Sequence, residues 1–166
     1  MLKTEDMERK VELGRFYFKE GNFPEASRLF GEVYSSYGNG NDAPPEILSS
    51  YGYSLAMGEN GVDEGTLLCI RALKLEPDNP AFYLNLGRIY RKAGKKASAI
   101  KILRRGLMSD KRNKEIHFEL ERLGIRRRPI IPFLSRSHPL NRFLGKITSR
   151  LSKKGRGTRL DLNGNE

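Results

Sequence analysis

Along the first two thirds of the chain, small and large apolar residues recur at fixed offsets, and polar, glycine-rich segments interrupt them at regular intervals. Around Gly14 the run VELGRFYFKEGNFPEASRLF places Tyr17 three residues after the glycine, Gly21 seven after it, Ala26 twelve after it and Phe30 four further on. The same offsets from Gly87 lead to Tyr90, Gly94, Ala99 and Leu103, with Gly106 following. A copy between them runs from Gly52 and Leu55 to Gly65, Cys69, Ala72 and Pro77, once one extra residue is allowed in the GENGVDEG turn. Gly65 to Ala99 and Ala72 to Gly106 both span 34 residues, and Gly52 to Gly87 spans 35. Glycine inside a helix is about 1 kcal/mol less favourable than alanine, so its return at one offset implies helix backbones in close approach. The turn segments EGNFPE, GENGVDEG and KAGKKA fall within the units, and EPDNP falls between the second and third. SYGNGNDAPPE, between the first and second, is about four residues longer than the period allows and reads as a mobile surface loop.

These residues resemble the tetratricopeptide repeat, a pair of antiparallel helices with a 34-residue pattern of an aromatic, Leu-Gly, Tyr, then Ala, a large apolar residue, Ala and Pro. The resemblance covers roughly residues 7–113, with repeats at about 7–40, 45–79 and 80–113. Lys10 stands where the first copy should have its aromatic; in the degenerate second copy Leu48 replaces the aromatic, Tyr51 the leucine and Leu55 the tyrosine. The resemblance implies an all-α fold, a right-handed superhelical array of antiparallel helix pairs. Such an array needs a polar-faced helix to cover its last unit. NKEIHFELERLG supplies one over 114–124, with Ile116, Leu120 and Leu123 at helical spacing and Gly124 as its stop.

Charge divides the chain at the same place. Residues 1–124 carry 20 Lys and Arg against 18 Asp and Glu, whereas residues 125–166 carry 11 against 2. This predicts a repeat domain over 1–124 and a separate basic tail over 125–166. In the tail, Pro129 and Pro132 force RRPIIPFL into an extended path. Leu140, Phe143, Leu144, Ile147 and Leu151 then recur at helical spacing among cations, as a short basic amphipathic helix. The polar, glycine-rich end after it reads as disordered.

The resemblance also implies where a partner would sit. Repeat arrays of this kind bind peptides and proteins on the concave face lined by the first helix of each pair. Carried over position by position, that face receives Arg15 and Lys19 from the first repeat, Tyr53 from the second, and Asn85, Arg88, Arg91 and Lys92 from the third. Arg88, Arg91 and Lys92 share one helix side, which favours an acidic segment or a C-terminal carboxylate. One subfamily grips the acidic tails of cytosolic chaperones with five such residues. Here those positions hold Val11, Arg15, Ser50, Ala81 and Asn85, none of which matches, so that clamp is rejected. The three-repeat layout also looks like the small chaperones of type III secretion, although those are acidic.

The tail has three competing readings. It packs back on the array, it lies on an anionic membrane surface through Arg126, Arg127, Arg128, Arg142, Lys146 and Arg150, or it touches nucleic acid. Nucleic acid is the weakest, since Phe133 and Phe143 are the only aromatics after Phe118 and no recognition module is visible.

Candidate chemistry is thin. One cysteine and two histidines are a poor basis for a disulfide framework, a metal site or a nucleophilic constellation. Cys69 falls at a large apolar position of the pattern and is expected in the core, and His117 is expected as an ordinary residue of the last helix. GNGND lacks the lysine of a phosphate loop. The sequence therefore predicts a protein-interaction adaptor with no catalytic residues, no metal and no cofactor. An acidic N-terminus and the lack of any run of about 18 apolar residues predict a cytoplasmic protein, peripheral to a membrane if the tail binds one. The oligomeric state stays open.

Overall fold

The computed structural model describes residues 2–38, 42–58, 61–124 and five positions of the tail, Pro139, Leu140, Phe143, Leu144 and Lys146. The chain separates into two compact units, residues 1–125 and 126–166. In the first unit the described residues form seven α-helices and no strand: α1 (Leu2–Glu20), α2 (Phe23–Ser36), α3 (Pro45–Gly58), α4 (Val62–Leu75), α5 (Pro80–Lys92), α6 (Lys96–Ser109) and α7 (Lys114–Arg122). Each helix packs on the next, and the first helices of successive pairs also meet, α3 with α5 and α5 with α7.

Local chemistry sets the ends of these helices. The side chains of Asn22, Asn79 and Asn113 accept hydrogen bonds from the backbone N–H groups of Glu25, Ala81 and Ile116, satisfying donors that a helix start leaves free. Pro45 and Pro80 open α3 and α5, where a missing N–H does no harm. Gly21 and Gly94, at equivalent positions after α1 and α5, adopt φ of +76° and +72° and so reverse the chain between paired helices. Gly124, after α7, adopts φ of +83°.

The small residues do what their recurrence implies. A Cβ on Gly65 would collide with the carbonyl oxygen of Gly52, so α3 and α4 cross backbone to backbone. A Cβ on Gly87 would lie 2.5 Å from Leu103 Cδ2, and one on Gly14 would lie 3.0 Å from the ring of Phe30. The positions that depart from the repeat pattern are filled differently. Lys10 binds Asp6 at 2.9 Å and reaches across to Glu32 of α2 at 3.2 Å, an ion pair in place of an aromatic contact. Tyr51 stacks at a tilt on Tyr34, with ring centroids 5.4 Å apart, and lies beside Gly31. Leu48 is buried with Ala43, Leu68, Ala72 and Phe82.

Ala43 corrects one expectation. The segment SYGNGNDAPPE, residues 36–46, reads as a mobile surface loop, yet Ala43 sits in this apolar cluster. Its methyl group, followed by Pro44 and Pro45 on a fixed path, ties the end of the loop to the core. The expected last helix covers the third pair: Ile116, Leu120 and Leu123 are buried against Leu84, Ala99 and Leu103. Cys69 is fully buried, and His117 Nε2 lies 3.0 Å from the Lys111 carbonyl oxygen.

In the second unit, Pro139, Leu140, Phe143, Leu144 and Lys146 are helical. Leu140 is 51% exposed and Phe143 63% exposed. The expected extended segment, the disordered end, and Arg126, Arg127, Arg128, Arg142 and Arg150 lie outside the described residues.

Candidate functional site

The face made by the first helices can be followed from α1 to α7. Arg15 and Lys19 are exposed on α1, and among the described residues neither has an ion-pair partner. From the same helix Phe18 turns to Tyr53 of α3, with ring centroids 5.2 Å apart, while Phe23 meets that ring edge-on at 5.3 Å. Tyr53 is therefore only 8% exposed. Burial raises its phenol pKa above the ordinary value; of the nearby charges, Arg88 and Arg91 oppose this and Glu119 adds to it.

The third-repeat residues are brought together, but largely by contacts within the chain. Asn85 is buried and its side-chain amide donates to Ser49 Oγ at 3.0 Å, joining α5 to α3. Lys92 donates to the carbonyls of Ala56 and Met57 at 2.6 and 2.9 Å. Those belong to the last turn of α3, whose carbonyls lack helical partners and carry partial negative charge, so a cation is favoured there.

Arg88 bridges α5 to two acids of α7, Glu115 and Glu119. Its Nε donates to Glu119 Oε1 at 3.1 Å and its Nη2 to Glu115 Oε2 at 3.0 Å. Burial alone would weaken the charge on Arg88, but Tyr53 and the two glutamates outweigh that loss and its pKa is raised. Arg91 Nε lies 3.0 Å from Glu119 Oε2, close enough for charge pairing without an aligned hydrogen bond. Arg122 Nη1 adds a longer contact to Glu119 at 3.8 Å. A carboxylate with 3% side-chain exposure is thus held among three guanidinium groups on two helices.

Of the seven residues expected to present themselves to a partner, Tyr53 and Asn85 are instead built into the array. Arg88, Arg91 and Lys92 serve first as ties between helices, and Arg15 and Lys19 remain open. The terminal nitrogens of Arg91 have no partner among the described residues, and its side chain is about one third exposed. Sequence reasoning missed Glu115 and Glu119. Glu119 falls between Ile116, Leu120 and Leu123 on the buried stripe, and an acid on a buried stripe signals a basic partner on the next helix. The remaining expected contact on the second unit, Lys146, is exposed and helical.

A surface hollow of about 440 Å³ lies over the α4–α5 connection, lined by Leu75, Glu76, Pro77, Asp78 and Asn79. It contains none of the groove residues. Among the described residues, no helix is long and apolar enough to cross a membrane.

The family profile described as Tetratricopeptide repeat matches residues 62–119. Comparison with curated proteins gives no match. Among solved structures, the Arabidopsis OM64 TPR domain is similar at 18% identity and a TM-score of 0.60, over 72% of this chain and 95% of that one. The first TPR of Spaghetti (RPAP3), bound to the HSP90 peptide SRMEEVD, is similar at 19% identity and 0.58, over 72% and 94%. The Sgt2 TPR domain from Aspergillus fumigatus is similar at 11% identity and 0.59, over 97% and 89%. At these identities the likeness is one of fold.

Proposed function

We propose that this tetratricopeptide-repeat protein, three helix pairs closed by a capping helix, is a protein-interaction adaptor that takes an acidic segment of a partner along its first-helix face. The observation that carries the reading is the arginine cluster around Glu119. Three guanidinium groups face two carboxylates, and the terminal nitrogens of Arg91 have no partner among the described residues. A planar, permanently charged group with free donors at a half-open position suits a carboxylate. Glu115, whose side chain is well exposed, already occupies one edge of Arg88 as such a ligand would.

Peptide binding by a fold neighbour supports the mode but not the grip. The first TPR of Spaghetti is bound to the HSP90 peptide SRMEEVD. Here the five positions of the chaperone clamp hold Val11, Arg15, Ser50, Ala81 and Asn85, and Asn85 is spent on Ser49. Recognition would rest on Arg91, the outer edge of Arg88, and Arg15 and Lys19 at the far end. The apolar exposure of Leu140 and Phe143 favours a second contact, in which the basic tail lies on an anionic membrane surface.

Affinity capture with the full chain, followed by binding of the recovered partner to variants, tests the groove. Arg15→Glu with Lys19→Glu, and separately Arg91→Gln, should each weaken binding by about 1 to 3 kcal/mol. A partner that binds both variants like the parent would remove this face from the account.

A further inference from the structure

The buried stripe of α6 runs through Ala99, Leu103 and Gly106. At about 100° per residue, Lys101, Arg104, Arg105 and Met108 fall on the opposite side, and all four are exposed. Met108 is 78% exposed, more than any other large apolar side chain described. None of the three cations has an ion-pair partner among the described residues. From Lys92 to Lys114 there are nine Lys and Arg and one acid, Asp110, whose carboxylate accepts from the backbone N–H of Arg112 at 2.9 Å.

An ordinary solvated helix face does not look like this. On α2, the equivalent helix of the first repeat, Arg28 is paired with Glu25 at 3.0 Å and Glu32 at 2.7 Å. On α6, Lys101 stands three and four residues from Arg104 and Arg105 with no acid between them, an arrangement that is self-repulsive in water. The asymmetry extends over the array. Residues 1–79 carry 8 Lys and Arg against 14 Asp and Glu, and residues 80–124 carry 12 against 4.

We propose that the outward face of α6 docks on an anionic phospholipid bilayer, with Lys101, Arg104 and Arg105 among the headgroup phosphates and Met108 entering the interface. A bilayer accommodates both features, since fixed anions lie at its surface and an apolar phase lies a few ångströms below. Nucleic acid accommodates only the first: α6 has no aromatic residue on which a base could stack, and Met108 would sit against phosphate and sugar. The acidic residues of the first two repeats are repelled by the same surface, so the third repeat faces the lipid. This does not rest on the groove, and it is separable from the tail contact proposed above.

The test uses the full chain and sedimentation with vesicles of phosphatidylcholine alone or mixed with phosphatidylglycerol. The parent should partition only to the anionic vesicles and lose binding at high salt. Lys101→Gln with Arg104→Gln and Arg105→Gln should lower the partition coefficient by roughly 10- to 100-fold at an unchanged melting temperature. Arg104→Lys with Arg105→Lys should bind like the parent, which guards against loss of fold. Met108→Ser should weaken binding by about threefold or more. Phe143→Ser alone should leave the effect of the α6 changes intact. The proposal is overturned if the triple variant binds as the parent does, if the parent ignores anionic vesicles, or if it prefers duplex DNA or RNA to them. It is equally overturned if the α6 changes act by dispersing a salt-sensitive oligomer formed without lipid.

Discussion

Arg88 and Glu119 stand 31 residues apart in sequence and 3.1 Å apart in space, and through them the first helix of the third repeat holds the capping helix. Glu119→Gln keeps the shape of the side chain and removes its charge, leaving Arg88 with Glu115 alone and Arg91 without its acid. We expect a loss of about 3 kcal/mol in urea unfolding, as for other buried pairs broken from one side. A double-mutant cycle with Arg88→Met should return part of that loss, because the two residues act as one unit.

Lys92 makes a simpler claim. Lys92→Met retains the aliphatic stem and withdraws the ammonium from the carbonyls of Ala56 and Met57. The expected cost is about 1 kcal/mol, and amide exchange should rise at the end of α3 before it rises elsewhere. Equal exchange in parent and variant would show that the contact contributes nothing.

Two glycines separate packing from backbone conformation. Gly65→Ala forces a methyl group into the carbonyl of Gly52 and should destabilise by at least about 2 kcal/mol, since neither backbone can yield without moving a helix. Gly94→Ala meets no atom within 4 Å, and its penalty comes from the left-handed φ of +72°, about 1 kcal/mol. Thermal melts that reverse this order would contradict the close crossing of α3 and α4.

Cys69 is inert in the folded chain. Burial pushes its thiol from 9.0 up to about 12, and its Sγ lies 3.6 Å from the Ser49 carbonyl. A thiol reagent should label the protein only after unfolding. The sign of the pH effect follows from the direction of the shift. The unfolded thiol ionises near 9 and the folded one does not, so the unfolded state loses its proton first. Stability should fall as pH rises from about 9 to 12, by up to about 1.4 kcal/mol per unit, and Cys69→Ala should flatten that slope.

Periodicity made the helix pairs legible because each pair repeats the same steric solution, so Gly14, Gly52 and Gly87 announce one another. The cap was legible for a related reason: Ile116, Leu120 and Leu123 leave one side for the core. The groove was less so. Position alone put Tyr53, Asn85, Arg88, Arg91 and Lys92 on the first-helix face, but a position does not say whether a donor is already satisfied. Glu119 takes a hydrogen bond from Arg88 and the α3 carbonyls take those of Lys92, and that pairing depends on distances between helices that no spacing along one helix contains. Ala43 was missed because the glycines and asparagines around it hid a single apolar residue.

The ion pair between Lys10 and Glu32 gives the array a direction. The third repeat is tied to α7 by a sheltered carboxylate, whereas the first pair replaces an aromatic contact with a charge pair open to water and leaves Leu13 and Phe16 exposed on α1. In a linear array each unit leans chiefly on its neighbours, so a change at one tie is felt first by the helices it joins. Added salt screens Lys10 far more than Arg88. Ionic strength thus acts selectively on the α1 end of the array, and a partner bridging α1 and α5 would offset that loosening.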